Sequence, residues 1–174
     1  MSIGRNRHRD YSGDVSAEPA TSPDASLVLG FLNTVDVEEG TDLLRGKQSW
    51  QRWASARGLR AGSLTDARAT REALRAAAGD PGARAGDAGT SVRVELAGGT
   101  PSLVADTALG AVLAAAARLA VLGEWARIKI CPADDCRWAF YDHSRNRSRA
   151  WCSMRVCGNR EKARAWRRRA DGTN

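Results

Sequence analysis

Histidine, lysine and long apolar runs are scarce in this chain, and cysteine is confined to one short stretch. Only two of its 174 residues are histidine, His8 and His143. That leaves little material for His-based metal sets or His-centred acid–base pairs. No run of about 18 apolar residues occurs, so no membrane span is expected; the longest, 108–122, is interrupted by Arg118 and suits a buried helix. No Gly-x-Ser-x-Gly, phosphate loop or dinucleotide fingerprint is present, and the expectation is a protein that is not an enzyme. Arg5, Arg7 and Arg9 stand near the start without an apolar segment behind them, so no secretory signal is read. A reducing, cytoplasmic setting follows, and there clustered cysteines favour metal over disulfides.

What is present is concentrated near the other end. Cys131, Cys136, Cys152 and Cys157 are the only four cysteines, arranged as two C-x4-C pairs fifteen residues apart. Four thiolates fill a tetrahedral zinc shell and leave no open position, which describes one structural Zn2+. A disulfide pair or an iron–sulfur cluster draws on the same residues. Charge is equally uneven. Residues 1–124 hold 14 Lys/Arg against 15 Asp/Glu, whereas 125–174 hold 13 against five, so the whole positive excess lies with the cysteines. Such a basic segment beside a near-neutral one suits a polyanion.

Along the chain, residues 1–24 show no periodicity and read as a disordered lead-in. Helices are expected over about 25–34, 48–56, 64–78 and 107–123, each from apolar spacing with a Gly or polar stop behind it. Residues 36–40 read as a loop and 79–90 as a Gly-rich linker. Alternation in 92–96 predicts a half-buried strand, with Gly98 and Gly99 as the turn and 102–104 as its hairpin partner. A short strand over 127–130 leads into Cys131. The fold class is therefore α+β: a mainly helical N-terminal domain (25–124) with a short β-hairpin, then a small four-cysteine module (125–170) ending in a basic helix.

Between the cysteine pairs Arg145, Arg147 and Arg149 alternate. After the last cysteine Asn159 can cap a helix carrying Arg160, Arg164, Arg167 and Arg168, with Ala163, Trp166 and Ala170 as an apolar stripe that could dock it. Arginine forks match phosphate and guanine edges, so these seven are candidate nucleic-acid contacts. A solvated or protein-binding basic face is the plainer reading, with Arg149 and Arg160 holding loop carbonyls. Trp138, Phe140 and Trp151 suit either the core of a small module or stacking on bases. Asp142 suits a turn cap or salt bridge.

Several strings in this segment resemble the CGNR zinc finger: Trp138-x-Phe140, Asp142-x-Ser144-Arg145-Asn146, Trp151-Cys152-Ser153-Met154 and the tetrad Cys157-Gly158-Asn159-Arg160. His143 stands where that family usually has arginine. Leu27-x-Leu29-x-Phe31-x-Asn33-Thr34 resembles the opening of the ABATE domain, and Asp42, the Trp50/Trp53 helix and 71–75 are similar to its later course, although its middle is short here. The resemblance implies zinc on the four cysteines in a treble-clef-like module, DNA as partner and a role in stress-induced transcription regulation. A small-molecule effector is a further expectation, with Asn33, Thr34 and Trp53 as candidate lining residues; the alternative for Asn33 and Thr34 is a helix cap. RNA binding, or docking of the basic tail on an acidic protein, are rival readings. Oligomeric state is not readable from these patterns.

Overall fold

The computed structural model describes residues 21–171. Helix α1 (Pro23–Leu32) opens with Ser22, whose hydroxyl accepts from the Ala25 N–H at 3.2 Å, and with proline at the first helical position. Both are strong initiation signals. They place residues 21–24 with the helix and its cap rather than with the lead-in. Residues 1–20, the rest of that segment, lie outside the described residues.

Two-residue strands β1 (Val35–Asp36) and β2 (Thr41–Asp42) pair across the expected 36–40 loop, and a 3-10 turn, Leu43–Arg45, leads into α2 (Lys47–Ser55). Helix α3 (Leu64–Ala77) is capped by Ser63 and α4 (Ala108–Val121) by Thr107. Between them β3 (Arg93–Ala97) and β4 (Thr100–Val104) form an antiparallel hairpin on Gly98 and Gly99, both at positive φ (60° and 82°). Such a two-residue turn needs left-handed residues, which glycine supplies without strain. The expected half-burial of β3 does not occur: all five of its residues are exposed.

After α4, strands β5 (Ile128–Ile130) and β6 (Ala139–Tyr141) pair antiparallel, and the chain ends in α5 (Asn159–Asp171). The architecture is thus helices with three small two-stranded sheets among the described residues. No described helix is long and apolar enough to cross a membrane.

Three apolar clusters hold these elements. Phe31, Leu44, Trp50, Trp53, Ala67 and Val112 form one, with the Trp50 and Trp53 rings stacked at 5.2 Å. A second joins Val28 and Leu32 of α1 and Ala115 and Leu119 of α4 to Ile128, Ile130 and Ala139 of β5 and β6. The β5–β6 pair is therefore buried against the helices. The third cluster is Cys131, Ala133, Cys136, Phe140 and Cys157, flanked by Trp151 and Val156.

Apolar spacing along 64–78 predicts Leu64, Ala67, Leu74 and Ala78 as the inward positions. Ala67 is buried, but so are Thr70, Arg71 and Arg75. Each arginine has an acidic partner that makes burial tolerable. Arg71 forks onto Asp42 at 2.6 and 2.8 Å and also donates to Thr34 Oγ1. Arg75 pairs with Asp80 at 2.7 Å, the Asp80 side chain being wholly buried.

Candidate metal centre and basic surface

Strand β5 delivers Cys131, whose N–H donates to the Trp138 carbonyl at 2.9 Å, and the 131–138 turn brings Cys136 back beside it. Arg137 takes a positive φ of 52° to close this knuckle. The second pair comes from a wide π turn, Met154–Gly158, that runs directly into α5. Ser153 caps that turn, accepting from the Val156 N–H at 3.2 Å. Asn159 is not the cap: it lies within the continuous helix and donates to the Arg155 carbonyl. Starting at Ser153 places Cys157 inside the helical turn, facing the knuckle. A Cβ on Gly158 would stand 2.5 Å from Met154 Sδ and 3.4 Å from the Trp151 ring, so a side chain here must displace Met154.

The four sulfurs all lie within 4.8 Å of one another, with Cys136–Cys152 at 3.5 Å and Cys152–Cys157 at 3.6 Å. Tetrahedral zinc with bonds of about 2.3 Å sets its sulfurs about 3.8 Å apart. A disulfide needs about 2.05 Å, and all four cysteines are free. A multi-iron cluster needs its thiolates farther apart, because the iron–sulfide core stands between them. The electrostatics agree with one cation at the centre. Hydrogen bonds from the Cys136 and Cys152 thiols hold Cys131 low, and the same crowding pushes Cys136 and Cys152 up. Four thiolates share this space only with positive charge among them. N–H groups of Ala133 and Cys152 bond to the Cys131 sulfur, and that of Trp138 bonds to Cys136. Arg160 reaches Cys157 Sγ at 3.9 Å, completing an outer shell of donors. The four cysteines fit one structural Zn2+ site.

The seven candidate arginines divide. Arg149 donates to the carbonyls of Trp151 and Cys152 and lies 5.3 Å over the Phe140 ring. Arg160 pairs with Asp135, and Arg164 with Asp135 at 2.8 Å and Glu161 at 2.5 Å. These three brace the module. Arg145, Arg147, Arg167 and Arg168 are exposed, and among the described residues their side chains make no hydrogen bond or ion pair. The loop bearing Arg145 and Arg147 is shaped by Asp142, fully buried, whose carboxylate accepts from Lys129 Nζ at 2.7 Å and from the N–H groups of Ser144 and Arg149. Burial would raise this carboxyl, but the Lys129 and Ser144 bonds outweigh it and hold it well below the usual carboxylate range.

The Ala163, Trp166 and Ala170 stripe does not dock α5. All three are exposed, Trp166 at 67%. Asp135, a residue that no motif or periodicity singled out, holds the helix instead through Arg160 and Arg164. Phe140 is core, Trp151 half-buried and Trp138 exposed at 38%. His143 packs its ring 4.7 Å from Tyr141.

The three candidate effector-lining residues make internal contacts. The Asn33 amide donates to the Ala139 carbonyl at 2.9 Å and accepts from the Ala139 N–H at 2.8 Å. Thr34 is buried and donates to the Phe31 carbonyl, and Trp53 stacks in the aromatic cluster with Arg57 4.0 Å above it. Asn33 thus ties α1 to β6. The Arg75–Asp80 pair reaches the same region: Arg75 donates to the Arg137 carbonyl at 2.6 Å, and Asp80 accepts from Arg137 Nε at 2.8 Å. No periodicity marks these residues; their partners lie 106, 62 and 57 positions away.

Geometry and donor set define a small metal-organised module of the four-cysteine zinc class. Residues 127–170 match the family model described as the CGNR zinc finger. No curated protein and no solved structure gives a match to the chain.

Proposed function

We propose that the chain is a DNA-binding transcription regulator that acts by binding rather than catalysis. In this reading the zinc organises a treble-clef-like module, and residues 25–124 form an ABATE-like domain with a regulatory role under stress. The setting is cytoplasmic. The observation that carries the proposal is the display of Arg145, Arg147, Arg167 and Arg168, without a side-chain partner among the described residues, on the segment that holds the whole positive excess. Buried Asp142 and half-buried Lys129 hold the loop that presents two of them, while Arg149, Arg160 and Arg164 serve the scaffold. Guanidinium groups displayed this way suit phosphate, with counterion release supplying affinity.

Titration of zinc-loaded protein into labelled duplex DNA tests this. Four phosphate contacts give a slope of about −4 in log affinity against log salt. Replacing all four exposed arginines by alanine removes most of that affinity and slope while changing stability by no more than about 0.5 kcal/mol. Binding unaffected by the fourfold variant, or insensitive to salt, refutes the reading. The exposure of Trp138 favours a second one, single-stranded RNA with a base stacked on the indole. There Trp138→Ala weakens RNA but not duplex DNA.

A further inference from the structure

Strands β3 and β4 form a hairpin whose residues, among those described, are exposed except for Leu103 and Val104, half-buried at its base. In β3, Val94 is 71% and Leu96 72% exposed. Residues opposite each other in a ladder share a face, so Val94 with Leu103 and Leu96 with Pro101 make one apolar face that continues to Val92. Arg93, Glu95, Thr100 and Ser102 make the other, together with Ala97 at the turn and half-buried Val104 at the base. Such alternation belongs to a sheet with one face covered, and a two-stranded ladder alone is marginal in water.

The two edges of the hairpin differ. The two-residue loop makes Ala97 and Thr100 the closing hydrogen-bonded pair, so bonded pairs continue at 95 with 102 and 93 with 104. The backbone groups of Val92, Val94 and Leu96 then point away from β4, as does the nitrogen of Pro101 on the far edge. Proline has no N–H to offer, so the β4 edge is interrupted. The β3 edge carries a full set of donors and acceptors.

We infer that β3 pairs antiparallel with β3 of a second copy of this chain, about a two-fold axis at Val94. In that register Val94 faces Val94, Val92 faces Leu96, and on the polar side Arg93 faces the second copy's Glu95. Every outward backbone group of 92–96 gains a partner, and the apolar faces merge across four strands. The charges select the register. An axis at Glu95 sets carboxylate against carboxylate, and one at Arg93 sets guanidinium against guanidinium. Arg93 and Glu95 are both about half exposed, with Arg93 already between Glu95 and Asp106 of its own chain, so neither is buried away from a partner.

Sedimentation of the full zinc-loaded chain across the micromolar range tests the pairing. The expected species has twice the 18.7 kDa mass of one chain. Val94→Lys abolishes the dimer without loss of zinc. Arg93→Glu alone and Glu95→Arg alone each weaken it about tenfold, since like charges then meet twice about the axis. Mixing these two variants one to one restores association, because each supplies the charge the other needs. A monomeric wild type, a dimer that survives Val94→Lys, or a mixture no tighter than its components overturns the inference.

Discussion

Between α1 and α4 the interior is made of rings and methyl groups; between Cys131 and Cys157 it is made largely of sulfur. The helical part buries Phe31, Leu32, Leu44, Trp50 and Val112 completely. The last 45 or so residues bury one large ring, Phe140, with small alanines and the cysteines. A segment that short cannot remove enough apolar surface from water to fold unaided, and metal ligation takes the place of a core. The comparison also shows how differently arginine is used. Arg71 and Arg75 are buried with carboxylates among the helices, whereas the module keeps Arg149, Arg160 and Arg164 as half-exposed braces and presents others, Arg145, Arg147, Arg167 and Arg168 among them, to solvent.

The sharpest way to separate the two regions is to remove a ligand. Structural zinc supplies on the order of 10 kcal/mol or more, which exceeds what a small domain has to spare. Cys152→Ser is therefore expected to release zinc and unfold 131–171, while hydrogen exchange still protects α2, α3 and the Trp50–Trp53 cluster. Retention of one zinc per chain by this variant removes Cys152 from the ligand set.

The seam between the regions comes next. Asp80→Ala leaves Arg75 and Arg137 without their shared carboxylate, at a cost of about 3–5 kcal/mol. Denaturant unfolding should show that loss, and zinc should leave more readily because Arg137 closes the knuckle. An unchanged midpoint would mean that water replaces Asp80 at no cost.

The smallest effect is confined to the helical side. Burial raises the Asp42 carboxyl, but Arg71 and the Leu44 N–H more than offset this and leave it lowered. A lowered folded-state pKa contributes stability above the ordinary carboxylate range, and that contribution is lost as pH falls through the folded value. The gap between wild type and Asp42→Asn is thus widest near neutrality and closes below about pH 4. Metal loss in acid acts on both chains alike and cancels in the difference. A gap that stays constant from pH 7 to about 3 would exclude a shift at Asp42.

Local pattern accounts for much of this architecture. Apolar spacing located all four internal helices to within a few residues, and the cysteine pairs marked the metal centre. What local pattern misses is long-range polar pairing. Asn33 was a cap or lining candidate, and its amide instead clamps a strand 106 residues away. Arg71 and Arg75 carry charge, so periodicity places them outside; only Asp42 and Asp80 permit them inside. Two good capping residues, Ser153 and Asn159, compete for the last helix, and the choice falls to the one that puts Cys157 in a helical turn. The alternation in β3 predicts half-burial, and the described part of the single chain leaves all five of its residues exposed.

The Asn33–Ala139 clamp bears on how the chain is made. Strand β6 completes the surroundings of Val28 and Leu32 on α1, yet it leaves the ribosome about a hundred residues after them. Closing so long a loop is slow compared with forming the helices themselves. During synthesis α2 and α4 can cover most of the apolar side of α1, and only the strip that β6 covers stands open until the knuckle follows.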